Sequence, residues 1–103
     1  MNSNILNEHQ LRKKVNLLKQ KKRKIVLSHG VFDFIHIGHI KHFQKAKEFG
    51  DILIVSITTD KNVKKGPGKP LFNHKLRAQF LSSIKIIDYK NYFFKNKIEF
   101  LFN

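Results

Sequence analysis

The segment from Asp51 to Asp60, DILIVSITTD, is an almost unbroken succession of apolar and β-branched side chains. It has no alternation that would leave one side for water, and it is too short for an ordinary buried helix. It therefore reads as a strand covered on both faces, the kind found in parallel sheets flanked by helices. A shorter run, Ile25-Val26-Leu27 within KIVLSHG, is closed by Gly30 and reads as a second strand of the same kind. Between the two, Ile40, Phe43, Ala46 and Lys47 follow helical spacing from Gly38 to Phe49, with Gly50 as the stop signal. After a loop rich in glycine, proline and lysine, KNVKKGPGKP, Asn73 can cap a helix running to about Ser83. IKIIDY, ending at Tyr89, then reads as a third apolar strand. Strand, helix, strand, helix, strand is the order of a parallel α/β sheet with right-handed crossovers.

Upstream, Asn7 to Lys24 reads as a basic helix with Leu11, Val15 and Leu18 on one face, lying on the domain surface. This divides the chain into an N-terminal basic helix (1–23) and an α/β domain (24–103). The tail KNYFFKNKIEFLFN follows no period and reads as the start of a further unit.

The 103 residues suffice for one small domain. The formal charge of +14 suits polyanionic partners. The excess is nearly all lysine in a chain rich in Asn, Ile and Phe, a mixture that AT-biased coding also produces, so nucleic acid is a secondary expectation. The chain has no cysteine, which excludes disulfides and thiolate metal sites. No apolar stretch is long enough for a membrane, and the polar N-terminus is unlike a signal peptide, so a cytoplasmic protein without a membrane partner is expected.

The chemistry concentrates in HGVFDFIHIGH, His29 to His39. It spans the carboxyl end of the first strand, a loop and the start of a helix, the place where open α/β sheets bind ligands. Three readings compete: a metal site, ordinary structural residues, and a phosphate cradle. His36 and His39 lack a third ligand or an HExxH pattern, which argues against zinc. The loop is neither a Walker A motif nor GxGxxG, and no serine or cysteine stands beside a plausible base. A helix N-terminus supplies N–H groups and a positive dipole end, Gly38 clears room for close backbone approach, and the two histidines lie about one turn apart. Phosphate is the favoured ligand.

Gly30-Val31-Phe32-Asp33 followed by His36-Ile37-Gly38-His39 resembles the GxFD…HxGH signature of the cytidylyltransferase-like nucleotidyltransferases. The resemblance continues through KAKEFGDILIVSITTD and KGPGKP…LRAQFL…IDY, covering roughly Lys24 to Tyr89. It is nearest to the branch containing ADP-heptose synthase and glycerol-3-phosphate cytidylyltransferase domains. HIGH alone is shared with class I aminoacyl-tRNA synthetases, but this chain is far shorter and carries no KMSKS-like motif.

The resemblance implies a Rossmann-like parallel sheet with helices on both faces. It also implies transfer of a nucleoside monophosphate from CTP or ATP to a sugar-phosphate or polyol-phosphate, with release of pyrophosphate and with Mg2+ carried by the triphosphate. His36, His39 and Lys65 would be catalytic, with no protein-bound metal. Gly30, Val31, Phe32, Asp33, His36, Gly38 and His39 would hold the nucleotide. Asp60, Lys65, Lys69, Arg77 and Asp88 would contact substrate, and a homodimer is one expected assembly. The family pattern normally continues through two more strands and an arginine followed by a serine/threonine-rich turn. Nothing here resembles that segment, so the sheet is expected to be incomplete at its C-terminal side, in a truncated or split form. The alternatives are an inactive nucleotide-binding remnant and a basic nucleic-acid-binding module; steep salt dependence would mark the latter.

Overall fold

The computed structural model describes residues 4–63 and 66–93. In chain order they form β1 (Ile5–Leu6), α1 (Glu8–Gln20), β2 (Ile25–Gly30), α2 (Ile37–Lys47), β3 (Ile52–Thr58), a 3-10 turn (Asp60–Asn62), α3 (His74–Leu81) and β4 (Tyr89–Phe93). The strands make one sheet in the order β1-β4-β3-β2, every neighbouring pair parallel. Its two principal strands are the ones the apolar runs predict.

β3 is buried along its whole length, and its alternate residues feed two cores. Leu53, Val55 and Ile57 pack with Phe43 of α2 and Ala78 and Leu81 of α3. Ile52 and Ile54 face the other way and pack with Leu11, Val15 and Leu18 of α1. Helices therefore cover both faces of the sheet. Asn7 caps α1 by accepting the Gln10 N–H at 2.8 Å, while the Gln10 side chain accepts the Asn7 N–H at 2.9 Å. Asn73 caps α3 as expected, accepting the Leu76 N–H at 2.9 Å.

Two features depart from the expected pattern. The apolar run Ile84-Lys85-Ile86-Ile87 is a turn, with the Ile87 N–H donating to the Ile84 carbonyl at 3.2 Å. Its isoleucines close the end of the α2/α3 core instead of joining the sheet. The strand begins only at Tyr89, and its inner positions carry Lys90 and Asn91, 3% and 5% exposed. A central strand with buried polar residues gives no apolar signal. Asn91 is satisfied by donating from Nδ2 to the Leu6 carbonyl at 2.6 Å. That contact and the Leu6–Asn91 register bring in β1, a strand too short to show in the sequence.

Candidate active site

All four strands run the same way, so the carboxyl ends of β2 and β3 and the loops leaving them lie together. There a cleft of about 610 Å³ is lined by Gly30, Val31, Phe32, Asp33, Phe34, His36, His39, Lys69 and Leu71. One wall is the loop from β2 into α2; the other is the segment that precedes α3.

The first wall is held by short-range contacts. Phe32 has a φ of +54°, a left-handed conformation that costs a non-glycine residue energy. That turn brings its ring over Gly30, where a Cβ would stand 2.8 Å from the ring's Cζ. The ring is buried and meets Phe43 at 5.3 Å between centroids and, in a T-shaped arrangement, His39 at 5.7 Å. Gly30 thus makes room for the ring that braces His39.

His36 is the N-cap of α2. Its Nδ1 accepts the Gly38 N–H at 3.0 Å, and its own N–H donates to Nδ1 of His39 at 3.1 Å. The pair forms a capping box built from two imidazoles, whose centroids lie 4.1 Å apart. Both Nδ1 atoms accept backbone hydrogens, so each neutral ring carries its proton on Nε2. The His-x-x-His spacing thereby turns two cap residues into two oriented N–H donors at a helix N-terminus. Gly38 has a different role from the expected clearance for phosphate. A Cβ there would stand 2.7 Å from Cε1 of His36, so the vacated space holds the His36 ring.

The second wall is held from a distance. Asp33 reaches across the cleft, and its carboxylate accepts the N–H groups of Leu71 at 2.7 Å and Phe72 at 2.9 Å. Desolvation alone would raise the Asp33 pKa. The two backbone donors, with the charges of Arg77 and Lys69, outweigh it and hold the carboxyl below its ordinary value.

Of the residues expected in the site, Gly30, Val31, Phe32, Asp33, His36, His39 and Lys69 meet in the cleft. Lys65 lies outside the described residues. Arg77 is fully buried beneath the cleft, with its guanidinium bonded to protein oxygens. Asp60 accepts from that guanidinium at 2.6 Å and also lies beside His74. Asp88 is at the opposite end of the sheet: it accepts the Leu53 N–H at 2.7 Å and pairs with Lys47. Leu53 and Thr58 are five positions apart on β3, so Asp88 stands roughly 16 Å along the strand from the cleft end.

Phe34 and Leu71 line the cleft without having been singled out by the sequence. Phe34 had one signal, its place directly after Asp33; Leu71 had none. His29, with Ser56 and Thr58, is a polar group at this end that was not among the expected site residues. Its Nδ1 lies 3.1 Å from the Ser56 hydroxyl and its Nε2 3.3 Å from that of Thr58, and desolvation lowers its pKa against the Ser56 contact. Among the described residues no group of three or more His, Cys, Asp or Glu side chains is placed to hold a metal ion, and no helix is long and apolar enough to cross a membrane.

Comparison with known proteins bears on the family and the fold. The family model described as cytidylyltransferase-like matches residues 27–101. The bifunctional protein HldE of Helicobacter acinonychis is 43% identical over 81 residues, which are 77% of this chain and 18% of the relative. HldE of Aliarcobacter butzleri is 37% identical over 90 residues, 85% of this chain and 19% of the relative. The chain thus spans less than a fifth of the length of these curated relatives. A solved structure, the lipopolysaccharide core biosynthesis protein from Thermoplasma volcanium, superposes with a TM-score of 0.69 at 26% identity, covering 78% of this chain and 66% of that one. With its family match spanning most of the sequence and the signature loop forming the cleft wall, the chain belongs to the cytidylyltransferase-like family.

Proposed function

We propose that the chain is a nucleotidyltransferase module that moves a nucleoside monophosphate from CTP or ATP to a sugar-phosphate or polyol-phosphate and releases pyrophosphate. The observation that carries this reading is the capping box, which engages Nδ1 of both imidazoles of the cleft wall and so puts the ring hydrogens on Nε2, with Lys69 on the facing wall. The acceptor class follows the resemblance to the sugar- and polyol-phosphate branch of the family, supported by the 43% identity to the matched segment of HldE and by the fold shared with a lipopolysaccharide core biosynthesis protein.

An acceptor phosphate oxygen attacks the α-phosphorus in line, its new P–O bond forming as the bond to the bridging oxygen breaks and pyrophosphate leaves. This transfer needs positioning and charge stabilisation more than covalent help. The two Nε2 donors, standing at the positive end of the α2 dipole, orient the phosphates, and Lys69 offsets charge on the leaving oxygens. Mg2+ enters as part of the nucleotide substrate. Asp33 is committed to structure, each of its oxygens accepting a backbone N–H of the facing wall. The reading places the reaction in the cytoplasm, where nucleoside triphosphates are made.

The test is titration of Mg-CTP and Mg-ATP into the wild type and His39→Asn. Asparagine can keep an acceptor for the His36 N–H but loses the Nε2 donor. A hydrogen bond to a charged group contributes about 1.5–3 kcal/mol, so affinity should fall about tenfold or more. Equal affinity in both proteins would place the nucleotide elsewhere.

A further inference from the structure

We propose that Arg77 is a positioning residue that sets the spacing between the two walls of the cleft, without touching the nucleotide itself. The inference rests on the reading of the cleft as a nucleotide site and assigns Arg77 a role other than substrate contact.

The Arg77 side chain has no exposed surface. A buried guanidinium is tolerated only when its donors are satisfied, and here four bonds go to three separate segments. Nε donates to the Phe72 carbonyl at 2.9 Å, before α3. One terminal nitrogen donates to the carbonyls of Val31 at 2.8 Å and Thr58 at 2.7 Å. The other donates to the Asp60 carboxylate at 2.6 Å. Val31 is in the first wall, Phe72 is in the second, and Thr58 and Asp60 anchor both to the end of β3.

Phe72 shows why this amounts to more than filling a core. Its N–H is held by Asp33 and its carbonyl by Arg77, so the segment is gripped on both sides of one residue. Lys69 stands three positions earlier and reaches the cleft from that segment. The planar fork of arginine matches several fixed acceptors at once, which a lysine ammonium on a flexible stem does not. With lysine at position 77 the two walls would keep a charge between them but lose their defined separation, and Lys69 would lose its register with His36 and His39.

The test is a double-mutant cycle on the 103-residue chain, with Mg-CTP and Mg-ATP as probes. Wild type, Lys69→Ala, Arg77→Lys and the double variant are titrated, and amide exchange at Leu71 and Phe72 is followed in each. The expected result is that Lys69→Ala weakens binding about tenfold in the wild-type background and less than twofold in the Arg77→Lys background, with faster exchange at both amides wherever Arg77 is replaced. A folded Arg77→Lys protein that keeps the full Lys69→Ala effect overturns the proposal. Should Arg77→Lys not fold, Asp60→Asn removes the charged anchor alone; the same non-additivity then supports the proposal, and full additivity overturns it. If the wild type binds neither nucleotide, the functional reading falls on its own. The exchange data still decide the positioning role, and unchanged exchange at Leu71 and Phe72 refutes it.

Discussion

The two walls of the cleft are built by opposite means. In the wall from β2 into α2 the fixing contacts join near neighbours: His36 with Gly38, His36 with His39, and Phe32 over Gly30. The facing wall is tied to the first through contacts between residues far apart in the chain. Asp33 reaches Leu71 across 38 positions, and Arg77 reaches Val31 across 46. A wall made of local contacts forms with its own helix. One made of distant contacts exists only once the sheet has assembled, so it should respond more strongly to loss of a single anchor.

That contrast can be broken first at Arg77. Arg77→Met takes the donor from three carbonyls and from a carboxylate that is 37% exposed, and each buried polar group left unsatisfied costs about 1–3 kcal/mol, so the three carbonyls together should cost about 3 kcal/mol or more. Urea denaturation should show a loss of that size, the largest of any cleft substitution. A loss under 1 kcal/mol would mean the distant wall does not depend on its anchor.

Gly30→Ala should come next. The new methyl would meet the Phe32 ring at 2.8 Å, and overpacking of this kind costs about 1–3 kcal/mol. Since Phe32 braces His39, the same variant should bind Mg-CTP and Mg-ATP more weakly; wild-type affinity would show that the brace is dispensable. Gly38→Ala is smaller, about 0.5–2 kcal/mol, because it displaces the His36 ring from one cap. If it proved costlier than Arg77→Met, the ordering of the two walls would be reversed.

The sequence exposed these walls unequally, for the same reason. HGVFDFIHIGH could be read as a loop entering a helix start with two histidines one turn apart, because its interactions lie within a few residues of one another. Arg77 and Asp60 looked like substrate contacts because nothing local indicates that the charge on α3 is neutralised by the carboxylate after β3. Asp88 looked similar, but parallel strands put it at the amino end of the sheet, against Leu53. β2 and β3 were legible from apolar runs. β4 was not, because Lys90 and Asn91 occupy its buried positions while the neighbouring isoleucines form a turn. The helix spans were legible to within a few residues, since Asn7 and Asn73 cap where their side-chain chemistry predicts.

The smallest effect joins the walls through pH. The Asp33 pKa is lowered in the folded protein, so its stabilising contribution is present above the ordinary carboxylate value of about 3.9 and lost as pH falls through the lower folded value. Asp33→Asn should flatten stability against pH in that acidic window and leave the profile near neutrality parallel to wild type. An unchanged acid limb would detach Asp33 from the link between the walls.

The most direct test of the account is the protonation site of the two imidazoles, read by nitrogen-15 NMR with His36 and His39 assigned by substitution. At pH 9, where imidazole is neutral, the capping box predicts that both rings carry their hydrogen on Nε2 and accept at Nδ1. Addition of Mg-CTP or Mg-ATP should then shift the Nε2 resonances of both rings. Rings protonated at Nδ1, or Nε2 resonances that do not move at saturating nucleotide, would contradict the claim that this helix start is a phosphate-binding site.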